Sequence, residues 1–402
     1  MAEGEARMLL RVIDYVANPG GGVRFTVEML RGLHRMYGPQ IELVSHGEAL
    51  QRYASLLSRD RGVRLVDVPP VEAWRSRTLM AGIPGAGPLN LLLGTARFHH
   101  AVAGDLLEGA DVVWFPWLHR HRIPWARAGR VVATLHDVIT LQFPEIAPAW
   151  IRRDERGTVR AWLASGARIA ITSNATAATL HSMFGTDAER LEVIPLSGSH
   201  ERPAAPVTRG DLAFKGREYL LAPINITPHK NAEVLLRALG RTGARHPLVL
   251  TGSGMDLWPP RSTRARKLTE LAEASGFVRD ASLFAPGYVD DRAYEQLLDE
   301  AWALVMPTLA EGGGSFPVLE AMTAGIPVIA SDIPVMREMV ERTGGQVLWF
   351  DPRDPADLAA KLAELEARYP EYRGRAERQA KTLRLRTWDD VAAGYARLLG
   401  LT

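Results

Sequence analysis

The chain has 402 residues, of which 47% are hydrophobic and 23% are charged, and its formal net charge is +2. These proportions are ordinary for a soluble globular protein, and the length allows two domains that each bury a core. A net charge this small gives no support for nucleic-acid binding. The absence of cysteine excludes disulfides, thiolate metal sites and cysteine nucleophiles, and it fits a cytoplasmic protein. We expect no signal peptide, because the N-terminal apolar run is short and acidic residues precede it. We expect no membrane span, because no apolar run approaches the roughly 20 residues that a span needs.

A strand, a glycine loop and a helix open the chain. Residues 8–14 form an apolar run that predicts a buried strand, and the loop YVANPGGG follows. Apolar residues at helical spacing then predict a helix over residues 23–37. This order is that of the first unit of a nucleotide-binding α/β sheet. Gly20, Gly21 and Gly22 are candidate ligand contacts, although a tight turn without a ligand explains them equally well.

Val- and Ile-rich runs continue the alternation of strand and helix. His136 and Asp137 directly follow the run over residues 130–135. A polar pair at the carboxyl end of a parallel strand lies where α/β sheets bind ligands. A histidine packed in the core is the competing interpretation of His136. His99 and His100 lack a third ligand at metal-binding spacing, and we interpret them as structural. Other strands are predicted at residues 41–45, 64–68, 111–116, 168–173 and 190–196, with a helix over 174–184.

A second domain begins after a polar, proline-rich stretch, SHERPAAPVT, which predicts a linker over residues 199–208. A strand over residues 218–224 is followed by the loop NITPHKN and a helix through Leu239. We expect Lys230 at the start of this helix, where a cation opposes the helix dipole. A lysine that costs stability at that position is explained if an anion binds beside it. Further strands are predicted at residues 247–252, 282–285 and 302–308, and an amphipathic helix at 387–399.

The stretch EGGGSFPVLEAMTAGIPVIAS, residues 311–331, carries the most functional signals. Its three glycines can take positive φ and let the backbone approach a ligand closely. We expect a helix over residues 318–323, ended by Gly325, with Glu320 in its first turn as a hydrogen-bond acceptor. Free N–H groups of the loop and first turn would form an anion site. The residues that supply them are Gly312, Gly313, Gly314, Ser315 and Phe316.

This stretch resembles the signature of the retaining GT-B glycosyltransferases of the family 4 group, E-G-F-G-L-P-x-L-E followed by A-x-x-x-G-x-P-V-I-A. The second half matches closely, but eight residues separate Glu311 from Glu320 where the family has seven. The resemblance implies an α/β fold of the GT-B type, with two doubly wound Rossmann-like domains facing across a cleft. The implied divisions are an acceptor domain over residues 1–198, a donor domain over 209–385 and a closing helix over 386–402 that crosses back onto the first domain.

The resemblance also implies a role for each candidate residue. His136 would contact the donor sugar near the reacting carbon, and Glu311 would orient that sugar. Lys230 would bind the diphosphate, and Glu320 would hold the ribose hydroxyls. Together with Lys230, the loop amides would neutralise the leaving group, so the catalytic candidates are His136, Lys230 and Glu311.

Other segments match donor-binding parts of the family. The loop NITPHKN is similar to G-T-I-E-P-R-K-N, with Asn225 in place of threonine and His229 in place of arginine. Tyr288 and Val289 match the segment that walls the base pocket. The glycines after the first strand match a loop that faces the donor diphosphate and the acceptor: Gly20, Gly21 and Gly22.

The function implied is transfer of a mannose- or glucose-like hexose from a GDP- or UDP-linked sugar to an acceptor hydroxyl, with retained configuration. The acceptor would be a saccharide, a lipid-linked or a small molecule, in bacterial polysaccharide or glycoconjugate biosynthesis. We expect no metal or other cofactor, because no Asp-x-Asp motif follows a strand. Peripheral contact with the inner face of the membrane is also implied. Two alternatives stay open: a sugar-nucleotide epimerase of the same fold and a non-catalytic sugar-nucleotide-binding protein.

Overall fold

The computed structural model describes residues 8–17, 21–71, 100–123, 130–187, 191–198, 218–242 and 245–402. The chain divides into two compact units, Met1–Ser197 with Arg386–Thr402, and Gly198–Leu385. Gly20, His99 and the predicted linker over residues 199–208 lie outside the described residues. No helix in the described ranges is long and apolar enough to cross a membrane.

The first unit is built on a seven-stranded parallel sheet with the order β3-β2-β1-β5-β7-β8-β9 in the described residues. Its strands are β1 (Leu9–Ile13), β2 (Gln40–Ser45), β3 (Val63–Asp67), β5 (Val112–Phe115), β7 (Val131–Leu135), β8 (Arg168–Ile171) and β9 (Leu191–Val193), with the short pair β4 (His100–Ala101) and β6 (His121–Arg122) beside it. Its helices are α1 (Gly21–Tyr37), α2 (Gly47–Leu56), α3 (Ile139–Gln142), α4 (Ala149–Ala164) and α5 (Asn174–Phe184), and 3-10 turns cover Gly104–Leu107 and Leu118–Arg120. The central strands read as continuous apolar runs because helices cover both faces of a parallel sheet.

A closing helix, α13 (Trp388–Leu399), belongs to the first unit and packs against α1. Thr387 and Asp390 form a capping box at its start, which satisfies backbone N–H groups that the helix leaves free. Tyr395 is fully buried, and its hydroxyl lies 3.0 Å from Thr134 Oγ1 on β7. Gly32 of α1 permits close approach, since a Cβ there would lie 3.0 Å from Ala392. A buried hydrogen bond and a small-residue contact thus fix this helix on the first sheet.

The second unit has a six-stranded parallel sheet with the order β12-β11-β10-β13-β14-β15 in the described residues. Its strands are β10 (Leu220–Pro223), β11 (Leu248–Thr251), β12 (Leu283–Gly287), β13 (Ala303–Met306), β14 (Val328–Ser331) and β15 (Leu348–Phe350). Its helices are α6 (Ala232–Thr242), α7 (Thr263–Ala274), α8 (Asp291–Asp299), α9 (Phe316–Thr323), α10 (Pro334–Thr343), α11 (Pro355–Ala367) and α12 (Tyr369–Ala380).

Both sheets change winding direction at their centre. The chain passes outward from β1 through β2 to β3 and returns to β5 in the first sheet, and it does the same from β10 to β13 in the second. Open α/β sheets bind ligands at the carboxyl ends of the strands on either side of such a switch point. The prediction of two doubly wound α/β units is confirmed, and the loops after β1, β5, β10 and β13 are where ligands are expected.

Candidate functional site

The loop between β10 and α6 carries Lys230 on a short 3-10 turn, Pro228–Lys230. Asn225 Oδ1 accepts hydrogen bonds from the backbone N–H and hydroxyl of Thr227, which fixes the entry to the turn. Asn231 takes a left-handed conformation with φ of 57°, and its side-chain amide donates to the carbonyls of Pro307 and Pro352. Because the turn and Asn231 intervene, α6 begins only at Ala232. The expectation that Lys230 starts the helix is therefore wrong by two residues.

Lys230 contacts Glu311, although 81 positions separate them in sequence. The Nζ–Oε1 distance is 2.5 Å, and the side chains are only 19% and 10% exposed. Two hydrogen bonds to the carbonyl of His229, from Leu309 N–H at 2.7 Å and Thr308 Oγ1 at 3.1 Å, join the two loops behind the ion pair. The extra residue between the glutamates does not prevent Glu311 from reaching Lys230. Both residues follow strands of the switch point, β10 and β13.

The glycine loop ends in a residue that must be glycine. Gly314 has φ of 107°, and a Cβ on it would lie 2.3 Å from Sδ of Met339. The next backbone N–H, that of Ser315, donates to the same sulfur at 3.1 Å. A thioether is a weak acceptor, so this amide would gain from a stronger one. Gly312 and Gly313 precede it on the same loop and are partly buried.

The helix after the loop, α9, begins at Phe316 rather than at residue 318. Glu320 therefore lies in the second turn, not the first as predicted. Ser315 in an extended conformation provides the N-cap position, and Pro317 is tolerated in the first turn because no N–H is needed there. Glu320 is 8% exposed. Gly325 ends the helix with φ of 68°, as expected.

Tyr288 and Val289 follow β12, which β11 separates from β10 in the sheet. Tyr288 is 70% exposed. The turn before it is fixed at Gly287, whose carbonyl accepts from Thr251 Oγ1 at 2.7 Å and from Gly252 N–H at 2.8 Å. The exposed ring lies on the same edge of the sheet as the Lys230 loop, since all these strands are parallel. Its predicted contact with a base stays a prediction.

His136 lies at the carboxyl end of β7 and is 6% exposed. Its Nε2 is 2.9 Å from the carbonyl of Pro116, so Nε2 must carry the hydrogen and Nδ1 is left as an acceptor. The ring stacks on Trp117 with a centroid distance of 4.6 Å and meets the edge of Phe25 at 4.7 Å. Burial lowers the pKa of His136 to about 4. His136 is thus a packed, neutral histidine at the carboxyl end of β7, and its predicted contact with a donor sugar stays a prediction.

The start of α1 contains Gly21 and Gly22, because this helix begins two residues earlier than predicted. The sequence did not single out a buried carboxylate beside that loop, Asp14, which directly follows β1 and is 2% exposed. Tyr53 donates to its Oδ2 at 2.5 Å, and Val16 N–H donates to Oδ1 at 2.8 Å. Burial raises the pKa of Asp14 above its usual range. The sequence does contain one signal for this carboxylate, since Asp14 is an acidic residue directly after an apolar run.

A second missed group is a buried pair, His119 and Glu155. His119 Nδ1 lies 3.2 Å from Glu155 Oε1, and both side chains are about nine-tenths buried. Burial alone would lower the pKa of His119, but the hydrogen bond and charge of Glu155 outweigh it and raise that pKa. The histidine in turn lowers the pKa of Glu155 against the effect of burial. Nothing in the sequence indicates this pair, because its members meet only where the 3-10 turn Leu118–Arg120 packs against α4.

Arg264 is a third residue that the sequence did not single out. It lies in the first turn of α7, and its Nε donates to the carbonyl of Ile226 while its Nη2 pairs with Glu233 at 2.9 Å. Burial, with the charges of Lys230 and Arg264, lowers the pKa of His229 to about 4. His229 is thus neutral at pH 7, and the positive charge of this region lies on Lys230 and Arg264. Among the described residues, no cluster of three or more His, Asp or Glu could hold a metal ion.

This fold and this arrangement of loops are those of a GT-B glycosyltransferase. Two family models match the chain, Glycosyltransferase Family 4 over residues 19–197 and Glycosyl transferases group 1 over residues 207–383. The chain belongs to the family 4 group of glycosyltransferases, and the resemblance found in the sequence is confirmed.

The chain is similar to bacterial glycosyltransferases. The chain is 29% identical over 253 residues to O-antigen chain mannosyltransferase B of Escherichia coli, covering 59% of this chain and 61% of that protein. It is 26% identical over 371 residues to the D-inositol 3-phosphate glycosyltransferase of Rhodococcus erythropolis, covering 83% and 79%. The matched region thus spans less than two thirds of the mannosyltransferase.

Solved structures share the fold along almost the whole chain. Sucrose-phosphate synthase from Thermosynechococcus elongatus superposes with a TM-score of 0.67 at 17% identity, covering 98% of both chains. HepE from Anabaena, solved with UDP and glucose, gives a TM-score of 0.67 at 14% identity, covering 98% of this chain and 100% of that one. At such low identities these likenesses establish the GT-B fold alone.

Proposed function

We propose that the protein is a retaining hexosyltransferase that moves a mannose- or glucose-like sugar from a GDP- or UDP-linked donor to an acceptor hydroxyl. The observation that carries the proposal is the contact between Lys230 and Glu311, 2.5 Å apart at the switch point of the second sheet. The glycine loop and the buried Glu320 follow β13, as Glu311 does. The mannosyltransferases among the relatives support a hexose donor.

The proposed catalytic effect is electrostatic. The ammonium of Lys230 stabilises the negative charge that develops on the departing diphosphate, and such preorganised stabilisation is usually the largest contribution to catalysis. The N–H of Ser315, now bonded to the sulfur of Met339, exchanges this weak acceptor for a phosphate oxygen. Glu320 accepts from the ribose hydroxyls. Lys230 and the backbone amides thereby neutralise the diphosphate without a divalent cation, and the proposed reaction needs no metal or other cofactor.

The transfer is proposed as a displacement on one face of the sugar. The bond between the anomeric carbon and the leaving phosphate oxygen breaks, and the acceptor oxygen bonds to the same face of that carbon. The acceptor proton moves to the departing phosphate oxygen, which balances the step without a separate base. Glu311 orients the sugar, and His136 contacts it as a neutral ring whose Nδ1 can only accept.

The acceptor is proposed to be a saccharide, a lipid-linked or a small molecule, within polysaccharide or glycoconjugate biosynthesis. The O-antigen enzymes among the relatives support this setting. A lipid-linked acceptor would bring the protein to the inner face of the membrane as a peripheral enzyme. Separation of the protein between vesicles and buffer, with and without lipid-linked saccharide, tests that part of the proposal.

The reaction is tested with GDP-mannose, GDP-glucose and UDP-glucose, each incubated with the purified protein in the absence of acceptor. We expect slow release of nucleoside diphosphate and free sugar from one donor, unaffected by EDTA. Conversion of that donor to an epimerised sugar nucleotide would identify an epimerase instead. Binding without release, even with acceptor saccharides present, would identify a non-catalytic binding protein.

A further inference from the structure

A second ion pair brackets the turn that carries Lys230. Arg264 donates from Nε to the carbonyl of Ile226, which precedes the turn, and its Nη2 pairs with Glu233, which follows it. The Nη2–Oε distances are 2.9 and 3.0 Å. One guanidinium from α7 therefore holds both ends of the Lys230 loop.

These contacts leave part of the guanidinium unused. Nε and Nη2 are engaged, whereas Nη1 has no hydrogen-bond partner within the part of the chain that the structure describes. The side chains of Arg264 and Glu233 are 26% and 34% exposed, so a ligand can reach them. An arginine presents five N–H donors in a planar fork that matches phosphate oxygens. The guanidinium of Arg264 is thus held in place through Nε and Nη2, and Nη1 can still donate to a ligand.

Lys230 alone supplies too little positive charge at this turn to neutralise a diphosphate, and Arg264 can supply more. Lys230 already shares its charge with Glu311, at 2.5 Å. Burial and the charges of both cations lower the pKa of His229 to about 4, so this ring is neutral at pH 7 and adds no positive charge. A nucleoside diphosphate carries more than one negative charge, so the ammonium of Lys230 alone would leave it only partly neutralised. Arg264, the second cation beside this turn, is held by a carboxylate that is more exposed than Glu311 and easier to displace.

We propose that Arg264 is the second cation of the donor diphosphate site and exchanges Glu233 for a phosphate oxygen when the donor binds. The position of α7 supports this assignment. Its first turn follows β11, the neighbour of β10, so it starts at the same edge of the sheet as the Lys230 turn. The inference rests on the proposed function, because the diphosphate is that of the sugar-nucleotide donor.

The test measures the dissociation constants of GDP and UDP by titration calorimetry on the full chain. Arg264→Gln should weaken binding of the preferred nucleotide at least tenfold, and Arg264→Lys, which keeps the charge but loses the fork, by a smaller factor. Glu233→Gln should leave the affinity unchanged or raise it, because it releases the guanidinium. Arg266→Gln, an exposed arginine on the same helix, is the matched control and should have no effect.

The two variants separate a phosphate contact from a structural brace. If Arg264 only holds the loop in place, Glu233→Gln loosens one end of that brace and weakens binding in the same direction as Arg264→Gln, which overturns the inference. Should Arg264→Gln fail to fold, Glu233→Gln still decides, since weaker binding overturns the inference and equal or tighter binding supports it. Nucleotide binding by the wild type with no loss in Arg264→Gln overturns the role of Arg264 alone. A wild type that binds neither nucleotide overturns the proposed function as well.

Discussion

The two members of the Lys230–Glu311 pair are predicted to affect nucleotide binding in opposite directions. Lys230→Met removes the cation that meets the diphosphate, so GDP or UDP should bind more weakly. Glu311→Gln removes a carboxylate that competes for the same ammonium and repels the phosphates, so the free nucleotide should bind more tightly. Sugar transfer should nevertheless fall in Glu311→Gln, because Glu311 is proposed to orient the sugar, which the free nucleotide lacks.

The magnitude follows from the geometry of the pair. At 2.5 Å, with both side chains less than one fifth exposed, the contact is a charged hydrogen bond with limited screening. Such bonds contribute roughly 1.5–3 kcal/mol, and each 1.4 kcal/mol is a factor of ten in affinity. We expect the nucleotide Kd to rise roughly 10- to 100-fold in Lys230→Met and to fall about tenfold in Glu311→Gln. In Lys230→Met, kcat/KM should fall by about 10²–10³, the usual loss when one preorganised donor is removed.

Calorimetry with GDP and UDP, and nucleotide release from the preferred donor, measure both effects. Arg245→Gln is the matched control, because it breaks an ion pair of similar length with Glu366 in which the side chains are 75% and 40% exposed. It should change neither the affinity nor the rate. If Lys230→Met and Glu311→Gln weaken nucleotide binding by the same factor, the pair is a structural brace and the proposed competition with phosphate is refuted.

Three further predictions concern stability and pH. Gly314→Ala should lower the free energy of unfolding by about 1–3 kcal/mol, because of its positive φ and the clash with Met339; an unchanged urea midpoint would contradict this. Tyr395→Phe removes the buried hydrogen bond to Thr134 and should cost about 1 kcal/mol by the same measurement, which a neutral result would disprove. His136 has a folded-state pKa of about 4 against an ordinary 6.5, so the unfolded state binds its proton more tightly and stability must rise with pH. From pH 5 to pH 7 this contributes about 2 kcal/mol, and His136→Asn should remove that part of the slope; an identical slope in the variant would refute the assignment.

Short-range patterns were enough for much of the fold. Apolar runs predicted the strands on either side of both switch points, because a parallel strand covered on both faces must be apolar along its length. The left-handed glycine that ends α9 and the conformation of Gly314 were also readable, since each depends on a residue without Cβ. The boundaries of α9 and α6 were less accurate. They depend on Pro317 within the first turn and on a 3-10 turn ending in Asn231, whose conformation the loops after β13 and β15 hold.

The contacts that define the site were decided by tertiary structure. Lys230 and Glu311 meet because parallel strands bring the loops at their carboxyl ends to one edge, whatever their distance in sequence. Arg264 and Asp14 also meet partners that are distant in sequence, and neither stands in a motif. Sequence patterns were sufficient for the strands, the glycine loop and the family to which the chain belongs. Only the folded chain decided which charges are paired and which donors are left for a ligand, because pairing depends on the spatial order of strands.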